Sequence, residues 1–281
     1  MSNLIIYCVT NKSSNDLEDL PVKLAGVGKS HFSKKYINCK TKKNIQRKEK
    51  NYSELTFHYW FWKNKLSKIN KNIWIGFCQK RRFWIKKKMK INSFSDLKKN
   101  IIVKIPKKWE KFESILCKPI SVSNPKRIKM IKRGIRNYIK DPTIFFLEKK
   151  HTIKLHFDMH HGYGVLDKAI NLMDLKDREE FRHFISTKNT FSPHIMFITK
   201  KKFMNKWFKD LFKWLFKCEK IFGFKNLKGY DQTRLYAYLA ERYLSFWFNK
   251  YTKVKKANWT FFDVNTNQIM KSSRLRTNIF T

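Results

Sequence analysis

"NIWIGFCQKRRFW", residues 72–84, is an apolar run that stops abruptly at Gln79-Lys80-Arg81-Arg82. Residues 72–78 are short, uncharged and rich in Ile, Trp and Phe. That pattern predicts a strand covered on both faces, as in a parallel sheet, because a half-exposed strand alternates apolar with polar residues. Ligands of open α/β sheets bind outside the carboxyl ends of the strands. A buried strand that ends in two adjacent arginines therefore predicts a diphosphate site, since each guanidinium offers a bidentate fork of donors. The competing reading, in a chain this rich in cations, is a solvated basic turn.

Working outward, "NLIIYCVT" (3–10) has the same character and predicts a buried first strand. "NIIVKIP" (100–106), "HIMFITK" (194–200) and "ANWTFFDV" (257–264) supply further strands. "NYSELTFHYWFWKN" (51–64) reads as a helix, with Leu55, Tyr59 and Trp62 on one face. Residues 167–186 form a helical stretch through an acidic break at Asp174–Asp177, and 201–224 and 231–251 are long helices. Residues 11–50 read as Lys-rich loop, and 107–150 as mixed and partly helical, punctuated by Pro119, Pro125 and Pro142. With no internal repeat and no linker, the expectation is one α/β domain over residues 1–281. Its core runs to about 265, its C-terminal portion is helical, and 266–281 form a tail.

The charge narrows the partners. The chain carries 63 Lys and Arg against 21 Asp and Glu, for a net charge of +42. Part of this follows a Lys/Asn/Ile bias typical of AT-rich coding sequence; the remainder points to anionic ligands, nucleic acid or an anionic membrane surface. Arginines number only 12 of the 63, so their positions are the more informative. Five scattered cysteines without a CxxC pair favour reduced thiols over a disulfide framework or a zinc site. Neither a secretory leader nor a membrane-spanning run is evident, and a cytoplasmic protein, soluble or peripheral on the inner membrane face, is expected.

One motif invites a P-loop reading. "LAGVGKSHFS" (24–33) contains Gly28-Lys29-Ser30, but the position that must be glycine for backbone N–H groups to wrap phosphates is Lys23. Residues 19–22 do not read as the strand such a loop springs from.

Three further stretches could carry chemistry. In helix 51–64, Glu54 and His58 stand at i, i+4, and Asn51 lies at the anion-favouring N-terminus; an ordinary core helix is the alternative. In "HTIKLHFDMHHGYG" (151–164), an extended conformation over 155–161 would project His156, Asp158 and His160 to one face. Such a face suits acid/base work by Asp158 oriented by a His, a divalent metal, or structural hydrogen bonding. In 229–248, Arg234, Glu241 and Arg242 interrupt an apolar helix, and charges there must be paired or functional. Helix 201–224 mixes Trp, Phe and Lys as a membrane-surface helix does, but the preferred reading of the pattern is a core stripe with a wet Lys face.

Together "NYSELTFHYWFWKN", "IGFCQKRRFW", "HFDMHHGYG", "SPHIMFITK" and "LKGYDQTRLYAYLAERYLSFWF" resemble, in order across most of 26–250, a bacterial family from capsule and exopolysaccharide gene clusters, domain of unknown function 4422. Lys80 departs from that family, which more often has a tyrosine there. The resemblance implies a Rossmann-like, GT-A-like fold. It also implies transfer of a sugar, a hexosyl group and in some relatives galactofuranose, from a nucleotide-diphosphate donor. The acceptor would be a glycan, on a lipid carrier, in cell-surface polysaccharide or O-antigen assembly. GT-A strands at this place end in a metal-holding Asp-x-Asp, which Gln79-Lys80-Arg81-Arg82 replaces. The expectation is thus that the arginines neutralise the diphosphate without a cofactor, with Mn²⁺ or Mg²⁺ as the alternative. Asp158 is the first candidate base and Glu241 the second, with His156 beside them. Arg81, Arg82, Asn51, Glu54, His58, Arg234 and Arg242 are the candidate substrate-binding residues, and no residue is assigned to a metal. The rival readings are a nucleic-acid binder, against which no known motif appears, and a non-catalytic scaffold on a membrane surface.

Overall fold

A computed structural model of the protein describes residues 2–123, 125, 127–264 and 266, so the expected tail lies almost wholly outside the described residues. The strands are β1 (Ser2–Thr10), β2 (Lys23–Gly26), β3 (Tyr36–Asn38), β4 (Trp74–Gln79), β5 (Arg82–Trp84), β6 (Lys104–Ile105), β7 (Ser114–Cys117), β8 (Ile120–Ser121), β9 (Thr190–Phe191), β10 (Phe197–Lys200), β11 (Val254–Ala257) and β12 (Trp259–Phe261). The helices are α1 (Asn15–Glu18), α2 (Glu49–Tyr52), α3 (Leu55–Asn64), α4 (Phe94–Asn100), α5 (Arg127–Lys140), α6 (Ile153–His161), α7 (Val165–Asn171), α8 (Leu175–Thr187), α9 (Lys201–Phe222), α10 (Tyr230–Thr233) and α11 (Leu235–Tyr251).

The main sheet runs β11-β7-β10-β4-β1-β2-β3. β1, β2, β3 and β4 are mutually parallel, while β10 is antiparallel to β4 and β7. From β1 the chain moves outward to β2 and β3, then returns as β4 on the other side of β1. The strand order therefore reverses at the β1/β4 boundary, and a crevice opens there at the carboxyl ends. Every residue of β4 is buried, in keeping with its uninterrupted apolar sequence. Gly76 within it admits the neighbouring strand closely, for a Cβ there would stand 2.7 Å from Cγ1 of Ile198.

Both faces of the sheet are covered. On one, α3, α9 and α11 supply Phe57, Phe61, Trp207, Phe208, Leu211, Tyr243 and Trp247 to a single cluster with Phe77 and Phe197 of the sheet. On the other, Trp74, Phe83, Trp84, Leu97, Ile101 and Ile105 gather around Ile6 and Ile198. Each such side chain contributes about 1.5–3 kcal/mol on burial. The apolar stripe of α9 is thus core, the reading preferred from its sequence, and the membrane-surface alternative does not hold: Met204, Trp207, Phe208, Leu211, Trp214 and Leu215 are all buried.

Other expectations change too. Residues 11–50 are not loop throughout but carry α1 and the parallel β2 and β3, short elements that Lys-rich flanks disguise. The strand expected at 100–106 shrinks to β6, because Asn100 closes α4 and Pro106 has no N–H to give a ladder. The helix expected over 167–186 is two helices, broken where Asp174 turns extended (ψ 144°) and accepts hydrogen bonds from Lys213 and Lys217 instead of capping α8.

Candidate functional site

A cleft of about 320 Å³ occupies the β1/β4 switch point. Val9, Thr10 and Asn11 close it at the end of β1, and Gln79 to Arg82 at the end of β4. The basic run is a tight hairpin, since Gln79 pairs with Arg82 across the turn and Arg82 pairs with Phe261 of β12. Lys80 and Arg81 are thereby held at the tip, with the Arg81 carbonyl accepting the Phe262 N–H at 3.0 Å.

Besides the buried Arg242, four cations line the cleft. Lys80 donates to Oδ1 of Asn11 at 2.7 Å, and burial, then Arg81 beside it, pulls its pKa down. Nη1 of Arg81 lies 3.5 Å from Oδ2 of Asp263, and its Nε has no partner. Nη1 of Arg82 donates to Oε1 of Gln79 at 3.1 Å; its Nε is likewise unpartnered, and burial lowers its pKa against the pull of Glu54. Arg234 lies 5.1 Å from the ring of Tyr230. Burial works against its charge, but Glu54, Tyr230, Tyr238 and Glu49 outweigh it and raise the pKa. Unpartnered, buried guanidinium N–H groups are costly unless a ligand satisfies them.

Acidic residues line the cleft as well. Ser53 takes a left-handed conformation (φ 51°) between α2 and α3, and both Glu49 and Glu54, on either side of it, line the cleft. The Glu54 carboxylate makes no hydrogen bond or ion pair with a described residue, while its backbone carbonyl accepts the Phe57 and His58 N–H groups. Glu241 also lines the cleft, but both its oxygens are engaged: Oε1 accepts the backbone N–H of His194, and Oε2 accepts Nη1 of Arg242. Arg242 is completely buried beneath it, donating also to Nδ1 of His156 at 3.2 Å and lying 4.1 Å from the Phe191 ring. Burial pulls the Arg242 pKa down, with Glu241 opposing.

Sequence reasoning missed two histidines. His161 donates Nδ1–H to the Asp231 carbonyl at 2.8 Å, because a carbonyl can only accept, which leaves Nε2 unprotonated and without a partner. His194 sits at φ 64°, a strained conformation for a residue with a Cβ, and its Nε2 is also unpartnered. Burial, with Arg242 beside the first and Arg82 beside the second, holds both well below the usual histidine range. Tyr238, stacked on His161 at 3.8 Å between ring centroids, was missed as well. Only adjacency to strand and helix ends, in "HHGYG" and "SPHIMF", hinted at these positions.

Not every expected residue reaches the cleft. The 155–161 segment is not extended but helical. Thr152 caps α6 by accepting the Leu155 N–H, and the intended face disperses, since i and i+2 point apart on a helix. Asp158 therefore faces away from the cleft; it accepts from Lys154 at 2.7 Å and from the Gly164 N–H at 3.1 Å. Burial raises its pKa, Lys154 opposing. His156 stands behind Arg242. His58 is a core residue whose ring centroid is 4.1 Å from that of Phe77, and burial pushes its pKa down to about 3. Asn51 is buried and ties α2 to α10 through the Thr233 carbonyl at 2.7 Å. Residues 19–22 form no strand, as expected; the strand β2 lies just after them and leads toward Gly28-Lys29-Ser30, but no helix begins there, and Ser30 donates to the Asn11 carbonyl.

A divalent cation of the GT-A kind prefers several oxygen donors. The end of β4 offers it Lys80, Arg81 and Arg82 instead, a donor set that does not fit Mn²⁺ or Mg²⁺. Among the described residues no group of three or more His, Cys, Asp or Glu comes together as a metal site elsewhere. No helix among them is long and apolar enough to cross a membrane.

The architecture belongs to the GT-A-like class of mixed α/β folds. A solved structure, that of the bifunctional glycosyltransferase WbbM in its apo form, superposes with a TM-score of 0.65 at 19% identity, covering 92% of this chain and 45% of WbbM. The chain thus spans less than half of that protein. The model of the family described as domain of unknown function DUF4422 matches residues 5–253, and the chain belongs to that family. No curated protein matches it significantly.

Proposed function

We propose that this protein is a glycosyltransferase that takes a sugar from a nucleotide-diphosphate donor and passes it to a hydroxyl of a glycan acceptor. The observation that carries this reading is the placing of Lys80, Arg81, Arg82 and Arg234 around one cleft at the strand-order reversal, two of them with unpartnered guanidinium N–H groups. Departure of a nucleoside diphosphate develops charge on its phosphate oxygens, and preorganised cations in a partly dry site stabilise that charge. The fold shared with WbbM supports the same class of chemistry.

In this reading the hairpin at the end of β4 holds the diphosphate, and Arg234 approaches it from α10/α11. The acceptor hydroxyl must lose a proton as it attacks. Glu54 takes it, for it lines the cleft with neither oxygen committed, whereas Asp158 lies outside the cleft and Glu241 is committed to His194 and Arg242. Glu241 then serves to hold Arg242 and the His194 backbone in place. Tyr230 and Tyr238 offer rings against which a base or a sugar can lie. A nucleic-acid polymer fits less well, because the grouped arginines line a concave cleft and not an open track. Incubating the protein with nucleotide-sugars and short glycan acceptors, and following release of nucleoside diphosphate, tests the proposal. Acceptor-dependent release supports it; no release from any UDP-, GDP- or dTDP-sugar, with or without Mn²⁺, contradicts it.

A further inference from the structure

α5 is the one long helix of the described residues that leaves much of its apolar side uncovered. Met130 and Gly134 face α6, where a Cβ on Gly134 would meet Met159 at 3.3 Å. Beside that packed edge, Ile131, Ile135 and Ile139 stand at i, i+4, i+8, and they are 54%, 45% and 73% exposed. Tyr138 is exposed on the same side, and beyond the helix Phe146 is 76% exposed and Leu147 follows it. A second row, Lys132, Arg136 and Lys140, runs along the neighbouring edge and is exposed. No acidic residue occurs between 127 and 140.

A helix with an open isoleucine edge bordered by a row of cations has the make-up of one that lies in a lipid–water interface, apolar edge inserted and cations at the phosphates. A soluble protein partner of neutral surface would leave the basic row unmatched. We propose that α5, with Phe146 and Leu147, docks the protein onto an anionic lipid bilayer.

The place of α5 gives this surface a use that rests on the glycosyltransferase reading. Nη1 of Arg133 bonds Oδ2 of Asp231 at 2.9 Å, joining α5 to α10. A groove of about 490 Å³ lined by Arg136, Tyr163 and Gln232 runs between them, and Tyr230 lines both that groove and the cleft. An acceptor whose lipid end stays in the bilayer would present its glycan along that groove.

The test is sedimentation with vesicles of phosphatidylcholine alone and with 30% phosphatidylglycerol, in about 0.15 M salt, where long-range attraction from the rest of this very basic chain is screened. Ile131→Ser/Ile139→Ser changes no charge, so it separates insertion from general attraction. Wild type is expected to partition to the anionic vesicles, and the variant at least tenfold less, with an unchanged thermal midpoint because both residues are exposed. Equal partition of variant and wild type, or none by wild type, overturns the proposal. So does wild-type self-association that the variant abolishes without any vesicle binding, which would make the occupant a second copy. Nucleoside diphosphate release with a water-soluble acceptor, measured on the same variant, stays at the wild-type level if only docking is lost. If wild type itself shows no release, the activity reading fails while the docking result stands.

Discussion

Arg82 reaches back over its own hairpin to Gln79, Nη1 to Oε1 at 3.1 Å, and leaves Nε of the same guanidinium unpartnered and buried at the mouth of the cleft. The bond fixes the plane of the fork, and the remaining N–H groups are available to a ligand's oxygens. Fixing the donor before the ligand arrives reduces what binding must order.

Replacing Arg82 by Ala should therefore weaken nucleoside-diphosphate binding by roughly ten- to a hundredfold, the equivalent of one or two charge-assisted hydrogen bonds. Arg82→Lys should restore little of it, because an ammonium has no planar fork. Isothermal titration of wild type and both variants measures the difference; equal restoration by Lys would argue for charge alone.

Glu54 and Asp158 are expected to separate cleanly. Glu54→Gln should lower kcat by about 10²–10⁴, the usual range for loss of a general base, with a modest change in KM. Asp158→Asn, outside the cleft, should stay within a few-fold of wild type. A large loss in Asp158→Asn with Glu54→Gln active would return the base to α6.

Glu241→Ala should destabilise the protein by about 3–5 kcal/mol, since it strips a fully buried Arg242 of its counter-charge and the His194 N–H of its acceptor. Glu241→Ala/Arg242→Met, which removes both charges, should recover a large part. Urea denaturation of the pair decides it: no gain in the double variant would mean that Arg242 is satisfied by other means.

Stability should fall in acid through His58. Burial holds its folded-state pKa at about 3, below the ordinary 6.5, so the unfolded chain binds the extra proton first. The contribution is intact above about pH 6.5 and is lost progressively as pH falls toward 3, amounting to about 2 kcal/mol by pH 5. His161 and His194 act in the same direction. His58→Phe should flatten the dependence of the urea midpoint between pH 6.5 and 5; an unchanged slope would mean His58 is not the group.

Much of this was legible in the residues because each signal was local. Residues 72–84 announced a buried strand and a basic turn, and both are present as β4 and the hairpin. Arg81, Arg82, Glu54, Arg234, Glu241 and Arg242 all line the cleft. The illegible parts depended on distant packing. His156, Asp158 and His160 alternate as strand residues do, and only Thr152 as a cap marked the turn into α6. β2 and β3, the last two strands on one side of the sheet, have four and three residues, too short for a period to show. Whether a stripe is core or surface cannot be read from one helix. α9 and α5 are both amphipathic with Lys; the sheet covers the apolar side of α9, while that of α5 is left open.

The measurement that bears most directly on the central claim is calorimetric titration of UDP-, GDP- and dTDP-sugars in EDTA and again with Mn²⁺, for wild type and Arg81→Ala/Arg82→Ala. Micromolar binding of one nucleotide family in EDTA, lost in the double variant, is the expected result. Binding that requires Mn²⁺ and survives the double substitution would contradict a diphosphate held by the hairpin arginines.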